Sequence, residues 1–297
     1  MIYLILSILF STSLVVILRS FEKWNIKTEF GIVFNYLVCC ITGFIAMDNK
    51  SMIQEIPSWN GWWICLLLGF GFILIFLLIG KSTKLLGVAT TSIAFKLSFI
   101  IPVIIAIIFY GDALSIMKAI GIATAISAVY FIAYQPTAAL EQDKEPNSTQ
   151  TSFIHKKAWM LPLLIFVGSG LTDASFNFIQ RNYTPNGYDH IVTIMVFLGA
   201  FLSGMMMYGF KKEMYQWKNV FGGIVLGIPN YGSLYFLLQA LKHSGFSPST
   251  LFPLNNLGIV GLSALFGLFL FKETFSSRKI IGFILAVASI IIIGFIS

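Results

Sequence analysis

Apolar residues dominate this chain in ten long runs, each bounded by short polar or charged stretches. The runs cover about 2–18, 30–47, 62–80, 88–109, 115–134, 158–180, 190–209, 219–240, 248–270 and 279–296. A helix rises about 1.5 Å per residue, so about 20 apolar residues cross a hydrocarbon core of about 30 Å. The runs have that length. They show no period-two alternation and are too long for barrel strands. Inside a bilayer a helix satisfies its own backbone hydrogen bonds, and an open sheet does not. The pattern therefore predicts an all-α integral membrane protein with ten transmembrane helices.

Composition agrees. The 297 residues are 57% hydrophobic and 10% charged, with a mean hydropathy of +0.87. A soluble domain carries about 25% charged residues. Too few charges remain here to coat a soluble globule, and the runs leave no soluble domain of any size. The formal net charge of +7 points to a sidedness, not to nucleic acid. Odd-numbered loops hold Arg19, Lys23, Lys27, Lys81, Lys84, Lys144, Lys156, Lys157, Lys211, Lys212, Lys218, Lys272, Arg278 and Lys279. Even-numbered loops and their margins hold only Lys50, Lys118, Arg181 and Lys242. Basic residues stay on the cytoplasmic side. Odd loops are thus expected in the cytoplasm and both termini outside, as a multi-pass protein of a bacterial inner membrane. Trp24, Trp59, Trp62, Trp63, Trp159 and Trp217 fall at or just beyond run ends, where amphipathic rings prefer the interface. Cys39, Cys40 and Cys65 lie inside runs and imply no disulfide framework. The N-terminus lacks a charged n-region and a cleavage site, so the first run is expected to be retained.

The polar stretch 135–157, QPTAALEQDKEPNSTQTSFIHKK, reads as a linker. It separates a first five-run unit, 1–134, from a second, 158–297. A shift of 161 residues lays Tyr110-Gly111-Asp112 on Phe271-Lys272-Glu273. The same shift lays Lys118-Ala119-Ile120-Gly121 on Lys279-Ile280-Ile281-Gly282, and the following runs align without a gap. Five is odd, so the second unit enters the membrane inverted. Two inverted repeats are a recurrent plan of secondary transporters.

Ten runs in two units resemble the drug/metabolite transporter superfamily of the EamA type. So do Asp112 and Glu273 closing each fourth run, and Gly121 and Gly282 in each fifth. The resemblance spans nearly the whole chain. Asp112 stands where the family usually has glutamate. The resemblance implies a cavity built from the first, fourth, sixth, eighth and ninth helices. Phosphate translocators of that superfamily carry basic residues on the fourth and ninth helices. Lys96 matches the fourth-helix position, and the ninth run has asparagines instead.

Polar residues inside the runs are the candidate site. In a bilayer they must face protein or a water-filled cavity. Ser169, Thr172, Asp173, Phe176 and Gln180 share one face of the sixth run, with Asn177 beside it. Lys96 sits near the middle of the fourth run, one turn from Ser92. A central lysine costs about 2.5 to 3.5 kcal/mol on insertion scales, and its stem is too short to reach the interface. It aligns with Leu257 in the second unit, so the fold does not demand the charge. Asp173 is its obvious counter-charge. The eighth run adds Tyr231, Tyr235 and Gln239 in a stripe, and the ninth adds Ser249, Pro253, Asn255 and Asn256. Pro253 is expected to open the helix there. The candidate substrate-binding set is Lys96, Ser92, Asp173, Ser169, Asn177, Tyr231, Tyr235, Asn255 and Asn256. Asp112, Glu273 and Lys242 read as solvated caps and interface anchors.

The expected activity is secondary active transport of a small polar metabolite or drug-like solute by alternating access, with protons as a coupling ion through Asp173. A receptor or scaffold is the rival reading, but little loop mass exists for partners. No Walker motif, His-Glu-x-x-His pair or Gly-x-Ser-x-Gly elbow occurs, so no enzyme, cofactor or metal is expected. The expected partners are the solute and the lipid bilayer, and the expected state is a monomer or weak homodimer.

Overall fold

The computed structural model describes residues 1–47, 50–110, 114–133, 159–185, 188–243, 248–273 and 275–296. Among them every regular element is helical. The first unit contains α1 (Ile2–Ser20), α2 (Thr28–Ala46), α3 (Trp62–Leu86), α4 (Val88–Leu97), α5 (Ile100–Tyr110) and α6 (Ile116–Ala133). The second contains α7 (Met160–Asn182), α8 (Asp189–Tyr208), α9 (Trp217–His243), α10 (Pro248–Phe271) and α11 (Ser277–Ile291), which runs into a π-helical turn, Ile292–Ile296. Among the described residues, eight helical stretches are long and apolar enough to cross a membrane. Two more, Ile116–Ile132 and Met160–Phe176, are apolar but shorter. Asp112 and the 135–157 linker lie outside the described residues.

The ten predicted runs each contain helix, with one difference. The fourth run is not one helix. α4 ends at Leu97, Ser98 and Phe99 form a turn, and α5 begins at Ile100. Pro102 is the physical reason. It has no N–H to give the Ser98 carbonyl. The Ile101 N–H takes the Ser98 carbonyl instead, at 3.0 Å. Pro253 does not act this way: α10 runs through it unbroken.

Packing crosses between the units. α3 packs on α8 and α7, α9 packs on α2 and α1, and α6 packs on α11. α4 packs on α7 and α10, and also touches α1, α3, α6 and α11. Close backbone approach requires glycine at these crossings. A Cβ on Gly69 would lie 2.4 Å from the Val196 carbonyl and the Ala200 nitrogen across the α3–α8 seam. A Cβ on Gly199 would lie 2.3 Å from the Leu66 carbonyl. Gly223 and Gly227 do the same against Phe34, Asn35 and Val38 on the α9–α2 seam.

The loops sort to two ends. At one end the Arg19 guanidinium donates to the Lys84 carbonyl, Lys84 pairs with Glu22 at 3.4 Å, and Lys27 pairs with Glu213. At the other, the Trp59 indole donates to the Tyr183 carbonyl and the Tyr188 hydroxyl donates to Glu55. Odd loops thus meet odd loops, and even meet even. Large apolar side chains such as Phe109, Met206 and Phe269 face outward, 77%, 80% and 72% exposed. Such a belt suits lipid rather than water.

Gly199→Ala and Gly223→Ala should each lower the melting temperature in detergent, at a cost of about 1–3 kcal/mol, because the clash is with backbone. Gly261→Ala should be neutral or better, since nothing lies within 4 Å of the added carbon. Equal melting of all three would contradict the close-packed seams.

Candidate functional site

α4 is a ten-residue helix with unusual ends. At its start Gly87 adopts φ +95°, a conformation open to glycine. Its first N–H groups need partners, as at any helix start. The Glu273 carboxylate supplies them: it accepts from the Val88 N–H at 2.6 Å and from the Ala89 N–H at 3.4 Å. Glu273 is therefore not the solvated cap its sequence position suggested. It caps a helix of the other unit, 185 residues away along the chain. Opposite charge at a helix N-terminus is favourable.

Two turns in from that cap sits Lys96. Its side chain is half-buried among the helices. Asp173 on α7 is half-buried as well. Lys96 and Asp173 lie within electrostatic range of each other. No direct salt bridge joins them. The Lys96 ammonium instead lies 4.6 Å from the centroid of the Phe95 ring, a cation–π distance. The Ser98 hydroxyl at the α4–α5 break lies near the Asp173 carboxylate and donates to the Phe95 carbonyl at 2.5 Å. The sequence analysis passed over Ser98, because it did not take Pro102 as ending α4.

Three more of the predicted residues are buried on the same helices or on α10, which packs on α4. Ser92 is one turn before Lys96 on α4, and Ser169 is one turn before Asp173 on α7. Each is 1% exposed. Asn255, on α10 beside α4, is 3% exposed. The hydroxyls of Ser92 and Ser169 and the amide oxygen of Asn255 have no hydrogen-bond partner within the protein. A buried polar atom left unpaired costs about 1–3 kcal/mol, so such groups call for a reason. Thr172 differs: its hydroxyl bonds its own helix at the Ser169 and Gly168 carbonyls. Asn256 is half-buried beside Asn255. The side chain of Asn177 is outside the described residues.

Tyr231 and Tyr235 sit elsewhere. Their rings stack with centroids 6.5 Å apart on α9. A ring carbon of Tyr231 lies 3.0 Å from where a Cβ on Gly43 of α2 would be. Tyr231 is thus part of the α2–α9 seam, and its four-residue spacing from Tyr235 serves helix packing. That seam also holds Asn35, which the sequence reading passed over. Its amide oxygen accepts from Asn230 at 3.1 Å and from the Cys39 thiol at 3.8 Å.

Lys96→Met and Asp173→Asn should each destabilise the protein in detergent melts, because either leaves one enclosed charge uncompensated. The double variant should recover about 0.5–3 kcal/mol relative to the summed single losses. Strictly additive losses would mean the two charges do not share a cavity.

No family model matches the chain. A relative from Haemophilus influenzae, named only as an uncharacterized protein, is 26% identical over 293 residues, which are 97% of this chain and 95% of the relative. A solved crystal structure of a protein superposes with a TM-score of 0.57 at 13% identity, covering 98% of each chain. The chain is similar to that structure in fold from end to end.

Proposed function

We propose that this protein is a secondary transporter of a small polar solute, built as ten crossings in two inverted five-helix repeats. One observation carries the reading. A lysine on α4 and an aspartate on α7, both half-buried, within electrostatic range and without a salt bridge to each other, sit on packed helices of the two halves beside the α4–α5 break. Discontinuous helices with polar groups near the midplane are how transporters present a site without exposing backbone to lipid.

The packing supports the repeat. If the 161-residue shift is a two-fold relation, α3–α8 should pair with α9–α2, and α3–α7 with α9–α1. Both partners of each pair are present. The α6–α11 and α4–α10 contacts map onto themselves. Gly121 and Gly282, matched by the shift, both sit where α6 and α11 close together. A Cβ on Gly121 would meet Ile293 at 2.4 Å, and one on Gly282 would meet Ile132 at 2.6 Å. These features favour membership of the drug/metabolite transporter superfamily, EamA type.

In the mechanism, the solute enters a cavity between the repeats. Lys96 meets an anionic or acceptor group. Ser92, Ser169 and Asn255 supply hydrogen bonds that are unfilled without it. The repeats then rock, and the cavity opens to the opposite side. Asp173 carries the proton that couples this exchange to a gradient. The basic odd loops face the cytoplasm, and the termini lie outside.

Purified protein in liposomes should take up at least one solute from a panel of amino acids, nucleosides, sugars and phosphorylated metabolites. Lys96→Met should cut that uptake at least about tenfold, a loss of about 1.4 kcal/mol or more. Ser127→Ala should leave it unchanged, because the Ser127 hydroxyl bonds only its own helix, at the Ala123 carbonyl. An imposed pH gradient should accelerate uptake, and Asp173→Asn should abolish the acceleration. Absence of flux for every solute would sink the transport reading. A label reaching the 135–157 linker only from outside would reverse the orientation.

A further inference from the structure

α4 is delimited as a separate body. Gly87 hinges it from α3, and the Ser98–Phe99 turn separates it from α5. It carries Ser92 and Lys96, so its position sets where those groups stand. Its first turn is held within the first half by a hydrogen bond between the Ser82 and Thr91 hydroxyls, 2.8 Å apart, and from the other half by the Glu273 side chain.

That side chain is delivered by a specific backbone path. α10 ends at Phe271, and Lys272 turns the chain at φ +50°. A non-glycine residue there is in a sparsely populated conformation. The Glu273 N–H then donates back to the Gly267 carbonyl at 2.9 Å. The carboxylate drops between two glycines: a Cβ on Gly87 would lie 2.5 Å from its carboxyl carbon, and one on Gly267 would lie 2.7 Å from an oxygen. Any other residue at either position would block the seat. Lys279 lies within electrostatic range of the same carboxylate. It offers Glu273 a charged partner when the seat is vacated.

We propose that Glu273 is a latch: seated on the α4 N-terminus it closes the odd-loop end of the cavity and positions Lys96, and its release opens that end. The contact joins the two units, so it must break whenever they separate at that end. It is charge-assisted and small, with two backbone donors on one carboxylate. It can therefore open without unfolding either helix. The remaining backbone hydrogen bonds of α4 stay within the helix, which moves as a body.

The test is accessibility, which needs no substrate and so stands apart from the transport reading. Thr90 is 2% exposed, two residues inside α4. Thr90→Cys should react slowly with a water-soluble maleimide, read by mass spectrometry of the labelled peptide. Adding Glu273→Gln, or separately Gly87→Ala, should raise that rate at least about tenfold, since each removes the same charge-assisted contact. Native Cys65 is the control. It is fully buried with Trp59 and Tyr188 at the even-loop end, and its labelling should not change. Rates at position 90 within about twofold of the parent overturn the proposal. So does a rise in only one of the two variants, or a parallel rise at Cys65, which signals general loosening.

Discussion

Inside a bilayer a peptide N–H or C=O has no water to bond, so any interruption of a helix must be repaired by protein. α4 is where this constraint bears hardest. It is short, and both its ends fall within or beside the membrane. At the N-terminal end a carboxylate from the other half of the chain takes two N–H groups. At the C-terminal end the Ser98 carbonyl, deprived of a donor by Pro102, takes the Ile101 N–H instead. These repairs let a polar, ten-residue segment sit among apolar helices. Lys96 and Ser92 are placed by them.

The second constraint is distance. Lipid tails are as apolar as leucine, so helices in a membrane associate through close packing rather than through the hydrophobic effect. Glycine makes that packing tight. Gly69 and Gly199 bring α3 and α8 into backbone contact, and Gly223 and Gly227 do so for α9 and α2. Both seams join the first unit to the second. α4 meets α7 and α10 between these seams.

Much of this was legible in the sequence, and the limits have physical causes. Run length and composition mark the helices because hydrophobic thickness is a local requirement. Lys96 and Asp173 stand out for the same reason: a charge in an apolar run is costly wherever the chain folds. Asp173 was the counter-charge to look for because so few other charges lie inside the runs. The break at Ser98–Phe99 was hidden because Pro102 and Pro253 look alike in sequence, and only tertiary packing decides which helix yields. Glu273 was misread because its partners are backbone N–H groups, which every residue but proline has. No pattern of side chains could name Val88 and Ala89. Tyr231 and Tyr235 show the converse limit. An aromatic stripe at four-residue spacing marks one helix face, and that face serves the α2 seam equally well.

The separation between Lys96 and Asp173 is itself informative. Two opposite charges in contact at about 4 Å attract by about 4 kcal/mol at an effective dielectric near 20. A solute would have to break such a pair before using either charge, and that cost would be subtracted from its binding. The structure instead gives the ammonium a weaker companion, the Phe95 ring. The mutual field still offsets part of the desolvation of both groups. The unfilled hydrogen bonds of Ser92, Ser169 and Asn255 add to the same balance. Each is a cost carried inside the fold, and a polar group that reached these atoms would remove it. Under the transport proposal, such a site would bind by relieving what the fold leaves unsatisfied. It would need only modest contacts of its own, which suits a solute that must also be released.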